Sequence, residues 1–278
     1  MAEPAPQAPA GPLEEPAALS LLRYGELELE GLLADASNAT LRAVISHEGV
    51  DARCIYKPVR GERPLWDFPD GTLAGRERAA YLVSGAGGWD LVPPTVLRDG
   101  PLGFGACQLW IDAAYDDDAE QLVGFVPVDD VPVGWLPIAD ARGPGGLPYL
   151  LAHADDTRLA AMAVFDAVVN NADRKGGHLL SASPQRVYGV DHGVCFHTED
   201  KLRTVLWGWA ERALTEETVA MLRRFSERLA EPALRTELAE HLTDAEIAAM
   251  SARVGRLLAT GRFPAPSEEW PALPWPPM

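Results

Sequence analysis

The chain has 278 residues, 47% hydrophobic and 23% charged, a composition typical of a folded protein with room for one or two domains. Its formal net charge of −17 argues against a nucleic-acid or anionic-membrane binder, because both surfaces would repel it. No apolar run is long enough to span a bilayer and no signal peptide is visible, so we expect no transmembrane segment and a cytoplasmic location. The widely spaced Cys54, Cys107 and Cys195 fit that compartment as buried, unpaired thiols.

Four segments follow from the distribution of proline, glycine and apolar residues. Residues 1–17 are rich in Ala, Pro and Glu and are predicted to be a disordered tail. Residues 18–112 are predicted to form a strand-rich N-lobe, and residues 113–261 a mainly helical C-lobe. Residues 262–278 contain too much proline for a helix, and we expect this Pro/Trp-rich tail to pack against the chain's own surface.

Apolar periodicity predicts an α+β chain. The first two of five N-lobe strands form a hairpin, and a single helix, stopped by glycines, separates the third strand from the last two. The predicted strands are 26–33, 41–46, 51–59, 92–100 and 102–112, and the N-lobe helix is 75–88. Beyond residue 113 the sequence predicts loops and then helices at 155–169, 215–230, 232–241 and 243–260.

Two charged residues of the N-lobe are candidates for one ion pair. Lys57 lies near the end of the third strand, in IYKP, and Glu77 lies in the first turns of the helix. A strand lysine held by a helix glutamate and directed at the α- and β-phosphates of ATP is the arrangement of protein kinases. Each residue taken alone also fits an exposed surface charge.

The segment NNADRKGGHLL (170–180) places charged residues directly after an apolar helical run. Asp173 precedes His178 by the spacing at which kinases carry the catalytic Asp and the metal-binding Asn, D-x-x-x-x-N. Asp191, in DHG, stands where kinases carry the Mg²⁺-binding Asp of D-F-G. Phosphoryl transfer is mostly positioning and charge neutralisation, so it needs a carboxylate for the acceptor hydroxyl, a second for metal and a cation for phosphate.

Residues 26–260 resemble the phosphatidylinositol 3-/4-kinase-like branch of the kinase fold, including its bacterial members and the HipA-like protein kinases. Asp173 and Arg174 match the Asp-Arg-His-x-x-Asn loop of that branch. Lys175 replaces the histidine of the loop, and His178 replaces its asparagine. The resemblance implies a bilobal protein-kinase-like fold that uses ATP and Mg²⁺, with Mn²⁺ as a second candidate ion.

The resemblance also implies a role for each site residue. Asp173 would orient the acceptor hydroxyl, beside Arg174 and Lys175 in the catalytic loop, and Asp191 would hold metal with help from His178. The first hairpin turn lacks a G-x-G-x-x-G pattern, as does that branch, but its small and hydroxylated residues can still approach phosphates. The residues assigned to ATP are Lys57, Glu77, Ser37, Asn38 and Thr40, with Gln108, Leu109, Trp110 and Ile111 as the hinge beside adenine.

Three alternatives stay open. Imidazole suits Zn, Fe or Cu better than Mg²⁺, so His178 either ligates metal, acts through water, or is a loop histidine bonded to backbone. Together with Asp191, His192 and His197 it could form a zinc cluster, although the compact spacing of such sites is missing. The chain could also be a pseudokinase that serves as a nucleotide-binding scaffold or regulator, against which the retained lysine and aspartates weigh.

Residues 194–213 take the place of a kinase activation segment. They combine three cations with two tryptophans, and the residues are Lys201, Arg203, Arg212, Trp207 and Trp209. The segment is either a substrate-docking surface or a stretch of packed core aromatics. The phosphate acceptor is expected to be a protein Ser/Thr or a small-molecule hydroxyl; a lipid is the least favoured, because the chain is acidic and shows no membrane element.

Overall fold

A computed structural model describes residues 13–33, 38–112 and 120–278 of the chain. The predicted α+β class is confirmed: an antiparallel five-stranded sheet comes first, and a region of helices with two small sheets follows. Within the described residues no helix is both long and apolar enough to cross a bilayer.

The five predicted N-lobe strands are present. They are β1 (Glu26–Leu32), β2 (Leu41–His47), β3 (Val50–Pro58), β4 (Thr95–Gly100) and β5 (Gly103–Leu109). They pair in the order β1-β2-β3-β5-β4. Strand β4 starts later than predicted because Pro93 and Pro94 have no N–H to donate to a ladder. The tight β2–β3 turn places Glu48 and Gly49 at positive φ, as a two-residue hairpin turn requires.

Two helices pack beside this sheet. Helix α2 (Leu73–Gly87) is the predicted one; Thr72 caps its first turn, and Gly88 ends it in the left-handed conformation, with φ of 71°. Helix α1 (Glu15–Tyr24) is absent from the sequence prediction and begins inside the span expected to be disordered. Its proline lies in the first turn, where it is tolerated, and its buried leucines join the core beneath the sheet.

The C-lobe helices agree with the prediction. They are α3 (Thr157–Val169), α4 (Glu216–Ala230), α5 (Pro232–Ala239) and α6 (Asp244–Thr260). Asp156, Thr215 and Thr243 cap α3, α4 and α6, and Pro232 opens α5, so all four starts carry ordinary sequence signals. The apolar residues of these four helices contribute to the main core of the protein.

The expectation of loops between residue 113 and α3 is wrong for residues 123–154. Three strands, β6 (Val123–Pro127), β7 (Trp135–Arg142) and β8 (Pro148–Ala154), form an antiparallel sheet in the order β6-β8-β7. Prolines at the strand ends and at a bulge in β7, between Pro137 and Ala139, hide the strand pattern. A hairpin of β9 (Leu179–Ser183) and β10 (Arg186–Gly189) follows α3.

The C-terminal segment 262–278 packs against the chain's own surface, as expected. Phe263 exchanges backbone hydrogen bonds with Glu211 and Arg212, and the carbonyl of Ala272 accepts from the N–H of Thr204 at 3.1 Å. Because these bonds replace those of a helix or sheet, the proline-rich segment has a defined path.

Arg76, on α2, connects the two lobes. Its buried guanidinium pairs with Glu246 of α6 at 2.5 Å and donates to the carbonyl oxygens of Cys195 at 2.7 Å and Asp70 at 3.0 Å. Glu246 also accepts from the backbone N–H of Thr243, which closes the N-terminus of α6. The orientation of α2 therefore depends on a buried charge pair.

Replacing Glu246 with Ala should lower the free energy of unfolding by about 3 kcal/mol or more, because the guanidinium of Arg76 would stay buried without a counter-charge. Urea denaturation measures this loss. The exposed Glu227 of α4 is the matched control, and Glu227→Ala should change stability by no more than about 0.5 kcal/mol. Equal losses in both variants would contradict the role given to the buried pair.

Candidate active site

Lys57 is the meeting point of three elements. Its Nζ bonds to Glu77 Oε1 on α2 and, at 2.9 Å, to Asp191 Oδ1, which follows β10. Burial opposes the charge on Lys57, but Asp191 and Glu77 outweigh burial and raise the pKa of the ammonium. The ammonium of Lys57 in turn is the main reason that the pKa of Asp191 lies well below its ordinary value. The strand lysine, helix glutamate and DHG aspartate singled out in the sequence thus lie in one cluster.

Glu77 is fixed from both sides. Its side chain is almost fully buried, and its second oxygen accepts from the backbone N–H of His192 at 3.0 Å. Glu77 therefore joins the strand of Lys57 to the segment that carries Asp191.

The loop after α3 begins with two asparagines that set its path. Asn170 ends the helix in the left-handed conformation, with φ of 54°, and its side chain donates to the carbonyl oxygens of His197 and Glu199. The side chain of Asn171 accepts from the backbone N–H of Asp173 at 2.9 Å. These bonds turn the loop so that Asp173 leaves the core.

Arg174 is completely buried beneath the loop. Its guanidinium makes a two-pronged ion pair with Asp166 of α3, also completely buried, and donates to the carbonyl of Val190 at 2.9 Å. Burial keeps the pKa of His192 well below its ordinary value, so the neutral ring accepts from Arg174, with 2.7 Å between the two nitrogens. Arg174, grouped with the catalytic residues by sequence, therefore cannot reach an acceptor; it is a positioning residue.

Asp173 points to the opposite side of the loop and is about one-third exposed. Burial raises its pKa above the ordinary value, and the nearby Lys175, whose Nζ lies 3.3 Å from Oδ2, opposes that rise. A carboxylate that is partly desolvated yet accessible is suited to accept a proton from a bound hydroxyl.

His178 and Asp191 face each other. The distance from His178 Nε2 to Asp191 Oδ2 is 3.4 Å, and burial lowers the pKa of His178 to about 4. The imidazole is therefore neutral near pH 7, and its Nδ1 accepts from the backbone N–H of Lys175 at 3.5 Å, as the backbone-bonded alternative expected. Nε2, which faces Asp191, could ligate a metal only after giving up its hydrogen. The zinc-cluster alternative finds no support: His192 and His197 are bonded elsewhere, and within the described ranges no three His, Cys, Asp or Glu side chains are grouped to hold a metal.

The chain is similar to known proteins in sequence and in fold. No family model matches the chain. Protein Rv2133c of Mycobacterium tuberculosis (strain ATCC 25618 / H37Rv) is 47% identical over 263 residues, which cover 92% of this chain and 94% of that protein. The chain belongs to the Rv2133c family.

Two solved structures of other proteins are similar to this chain in fold. The Golgi casein kinase with Mn/ADP bound superimposes with a TM-score of 0.50 at 14% identity, over 87% of this chain and 74% of that chain. Hydra Fam20 with sugar gives a TM-score of 0.50 at 11% identity, over 88% and 87%. At these identities the likeness concerns the fold alone, which is therefore kinase-like.

The residues assigned to the hinge are placed only in part as expected. Gln108 is buried and donates to Thr95 Oγ1 at 2.8 Å, so its side chain belongs to the sheet. The N–H groups of Leu109 and Trp110 are bonded to the carbonyls of Pro94 and Arg53. Ile111 follows the last ladder pair of β3 and β5, and the contact of this stretch with adenine remains a prediction.

Three residues of the first hairpin turn, Ser37, Asn38 and Thr40, were predicted to contact the phosphates of ATP. Ser37 lies outside the described residues. Asn38 uses its side-chain oxygen to accept from the N–H of Arg63 at 2.8 Å, and Thr40 is buried. Asn38 is thus bonded to the segment that follows β3, and the contact of Asn38 and Thr40 with phosphates remains a prediction.

The tryptophans of segment 194–213 pack rather than form a free surface. Trp209 is buried and donates to Asp155 at 2.8 Å, while Trp207 donates to the carbonyl of Ala272 in the C-terminal segment at 2.8 Å. The packing interpretation of the sequence is therefore the better one for both rings.

Sequence reasoning missed Asp166 and Asn171, which hold the catalytic loop. The signal for Asp166 was present, since a carboxylate within the apolar run TRLAAMAVFDAVV is rare unless a cation is buried with it. Asn171 gave no signal of its own, because asparagine after a helix is an ordinary turn residue.

Replacing Arg174 with Ala should lower the free energy of unfolding by about 3–5 kcal/mol, because Asp166 would keep a buried charge without a partner. The double variant Arg174→Ala/Asp166→Ala should lose less than the sum of the two single changes. Urea denaturation of the four proteins gives the coupling energy. The exposed pair Arg256–Asp200 is the control, with an expected coupling below about 1 kcal/mol; equal coupling in the two pairs would refute the organising role of Arg174.

Proposed function

We propose that the chain is an ATP- and divalent-metal-dependent phosphotransferase that acts on a protein Ser/Thr or a small-molecule hydroxyl. The observation that carries the proposal is the contact of Lys57 with both Glu77 and Asp191, because it brings a phosphate-binding cation and a metal-binding carboxylate to one cleft. The accessible carboxylate of Asp173 lies in the same region, since its partner Lys175 donates its backbone N–H to His178, whose ring faces Asp191.

Each residue has one chemical task in this proposal. Lys57 binds phosphate oxygens and Glu77 orients Lys57. Asp173 orients the acceptor hydroxyl and accepts its proton as the oxygen attacks phosphorus. Lys175 lies beside Asp173 and keeps it in the deprotonated form that accepts a proton. These tasks are mainly positioning and charge neutralisation, which is where catalysis of phosphoryl transfer originates.

The donor set fits a divalent ion. Asp191 offers an exposed, ionised carboxylate, and His178 offers a neutral nitrogen next to it. These two side chains would hold Mg²⁺ or Mn²⁺, and the ion would neutralise phosphate charge. A mixed oxygen and nitrogen set favours Mn²⁺ more than the usual pair of oxygen ligands does.

The finer assignment to the phosphatidylinositol 3-/4-kinase-like or HipA-like branch is a proposal from sequence motifs alone. It draws on Asp173-Arg174, on IYKP around Lys57 and on the missing glycine-rich loop. The structural likenesses are to the Golgi casein kinase and to hydra Fam20, and they lend it no support. The three cysteines are buried and unpaired, which supports our proposal of a cytoplasmic location.

One observation favours a second candidate, a nucleotide-binding regulator without catalysis. Asp191 is held by Lys57 and faced by His178, so a metal must replace the lysine to use this carboxylate fully. If that exchange does not occur, the cleft could bind nucleotide without transferring phosphate. Labelled ATP with either ion separates the two candidates, since the regulator binds ATP and labels nothing.

Replacing Lys57 with Ala should raise the Kd for ATP by about 10-fold or more, because a charged hydrogen bond to phosphate is worth about 1.5–3 kcal/mol. Isothermal titration in the presence of Mn²⁺ measures the change. Arg42, an exposed cation on β2 in the same sheet, gives the control variant Arg42→Ala, which should bind ATP as the wild type does. Unchanged affinity in the Lys57 variant would remove the central argument for an ATP site.

Replacing Asp173 with Asn should leave ATP binding intact and slow phosphoryl transfer by about 10²-fold or more, the effect of losing a positioned base. The pH profile adds a second readout. Because the pKa of Asp173 is raised, wild-type activity should fall with decreasing pH sooner than an ordinary aspartate would cause. The residual activity of the Asn variant should lack that acidic limb, and an Asn variant as active as the wild type would exclude the assignment.

A further inference from the structure

Arg203 lies directly beside the catalytic loop. Its backbone carbonyl accepts from the N–H of Arg174 at 3.0 Å, and its N–H donates to the carbonyl of Asn171 at 2.9 Å. These two bonds place Arg203 against the loop on either side of Asp173. The positive charge of Arg203 acts on the carboxyl of Asp173: it lowers the pKa of that group, whereas burial raises it.

Among the residues that the structure describes, the guanidinium of Arg203 has no anionic partner. It stacks on the ring of Trp270, with 5.0 Å between Cζ and the ring centroid, and among the described residues no carboxylate lies within ion-pair distance of it. Its Nε is buried without a hydrogen-bond acceptor. Most other buried or half-buried cations of this acidic chain, such as Lys201 and Arg158, have a carboxylate partner. A cation left without one beside the candidate base is a binding group for an anion.

Lys175 is a second positive charge near the carboxylate of Asp173. Its Nζ lies 3.3 Å from Asp173, and no other carboxylate of the described residues is within ion-pair distance of it. Consider a bound compound that carries a negative group next to its hydroxyl. Its hydroxyl would contact Asp173, and its negative group would contact the two cations. A neutral compound would leave both cations facing a desolvated site, which costs free energy.

The C-terminal segment limits the size of such a compound. The carbonyl of Pro277 accepts from the N–H of Gly176 at 2.8 Å, and a Cβ at Gly176 would lie 2.5 Å from Sδ of Met278. The absence of a side chain at Gly176 therefore allows Met278 to pack against the loop that carries Asp173. Because the chain's own segment contacts this part of the loop and also supplies Trp270, we expect it to hinder an extended polypeptide more than a small molecule.

From these contacts we infer that Arg203, together with Lys175, selects a small anionic acceptor that carries a phosphate or carboxylate group near its reacting hydroxyl. This rests on the proposed phosphotransferase function. The acceptor oxygen forms a bond to the γ-phosphorus of ATP, the bond from that phosphorus to the β,γ-bridging oxygen breaks, ADP leaves, and the hydroxyl proton passes to Asp173. Arg203 binds the anionic group and takes no part in bond making.

The experiment uses the full-length protein, γ-labelled ATP and Mn²⁺, with an extract of the cells that natively make the protein. The extract is divided into macromolecules, neutral small molecules and anionic small molecules. The label should enter the anionic small-molecule fraction. Pretreating that fraction with a phosphatase, which is then removed, distinguishes the two anionic groups: loss of labelling indicates a phosphate ester, and persistence indicates a carboxylate.

The role of Arg203 is tested with three variants and the anionic fraction. Arg203→Gln should raise the half-saturating amount of acceptor about 10-fold or more, the effect of one charged hydrogen bond, while the maximal rate and the Kd for ATP stay close to wild type. Arg203→Lys should retain most of the affinity because it keeps the charge. Arg212→Gln is the matched control, an exposed arginine of the same segment whose loss should have no effect.

Three outcomes would overturn the inference. Label in the neutral fraction or in macromolecules, or a Gln variant that saturates as the wild type does, would refute it and leave the phosphotransferase proposal standing. ATP binding without label in any fraction would refute both and favour the regulator. Absence of ATP binding would remove the nucleotide site itself, so each failure has its own signature.

Discussion

The buried pair of Arg174 and Asp166 is the interaction on which the site depends. An arginine with no exposed surface needs a counter-charge and further acceptors, and it finds them on α3, in the carbonyl of Val190 and in the ring of His192. These partners belong to two separate parts of the C-lobe, because Asp166 lies on α3 while Val190 and His192 flank Asp191. Satisfying one guanidinium therefore fixes the distance between the end of α3, the catalytic loop and the segment of Asp191.

A second buried arginine acts between the lobes. Arg76 joins α2 to α6, and Glu77, the next residue, orients Lys57 and accepts from the backbone of His192. Adjacent residues of one helix thus point in two directions, one into the C-lobe core and the other into the cleft. The position of α2 is consequently tied to the same segment that Arg174 holds, so the two halves of the site are set by linked contacts rather than independently.

The sequence predicted the parts of this protein that local chemistry determines. Strands with regular alternation and helices with threonine caps were found, as was the Lys57–Glu77 pair, because kinase spacing relates it to one strand and one helix. Strands rich in proline were missed, since their pairing is decided by neighbours far along the chain. The burial of Arg174 was missed for the same reason: only the folded loop shows which side of it faces the core.

The bond between Lys57 and Asp191 has a consequence for how ligands cooperate. The ammonium of Lys57 occupies the position beside Asp191 that a metal ion would take. In the proposed function, a metal ion that binds alone must therefore compete with Lys57 for Asp191. A nucleotide that binds alone must draw Lys57 away from that carboxylate. When metal and nucleotide bind together, neither competition remains. The phosphates bind the ammonium of Lys57, and Asp191 becomes available to the metal. Metal and nucleotide affinities should then be thermodynamically linked, each raising the other by the same factor.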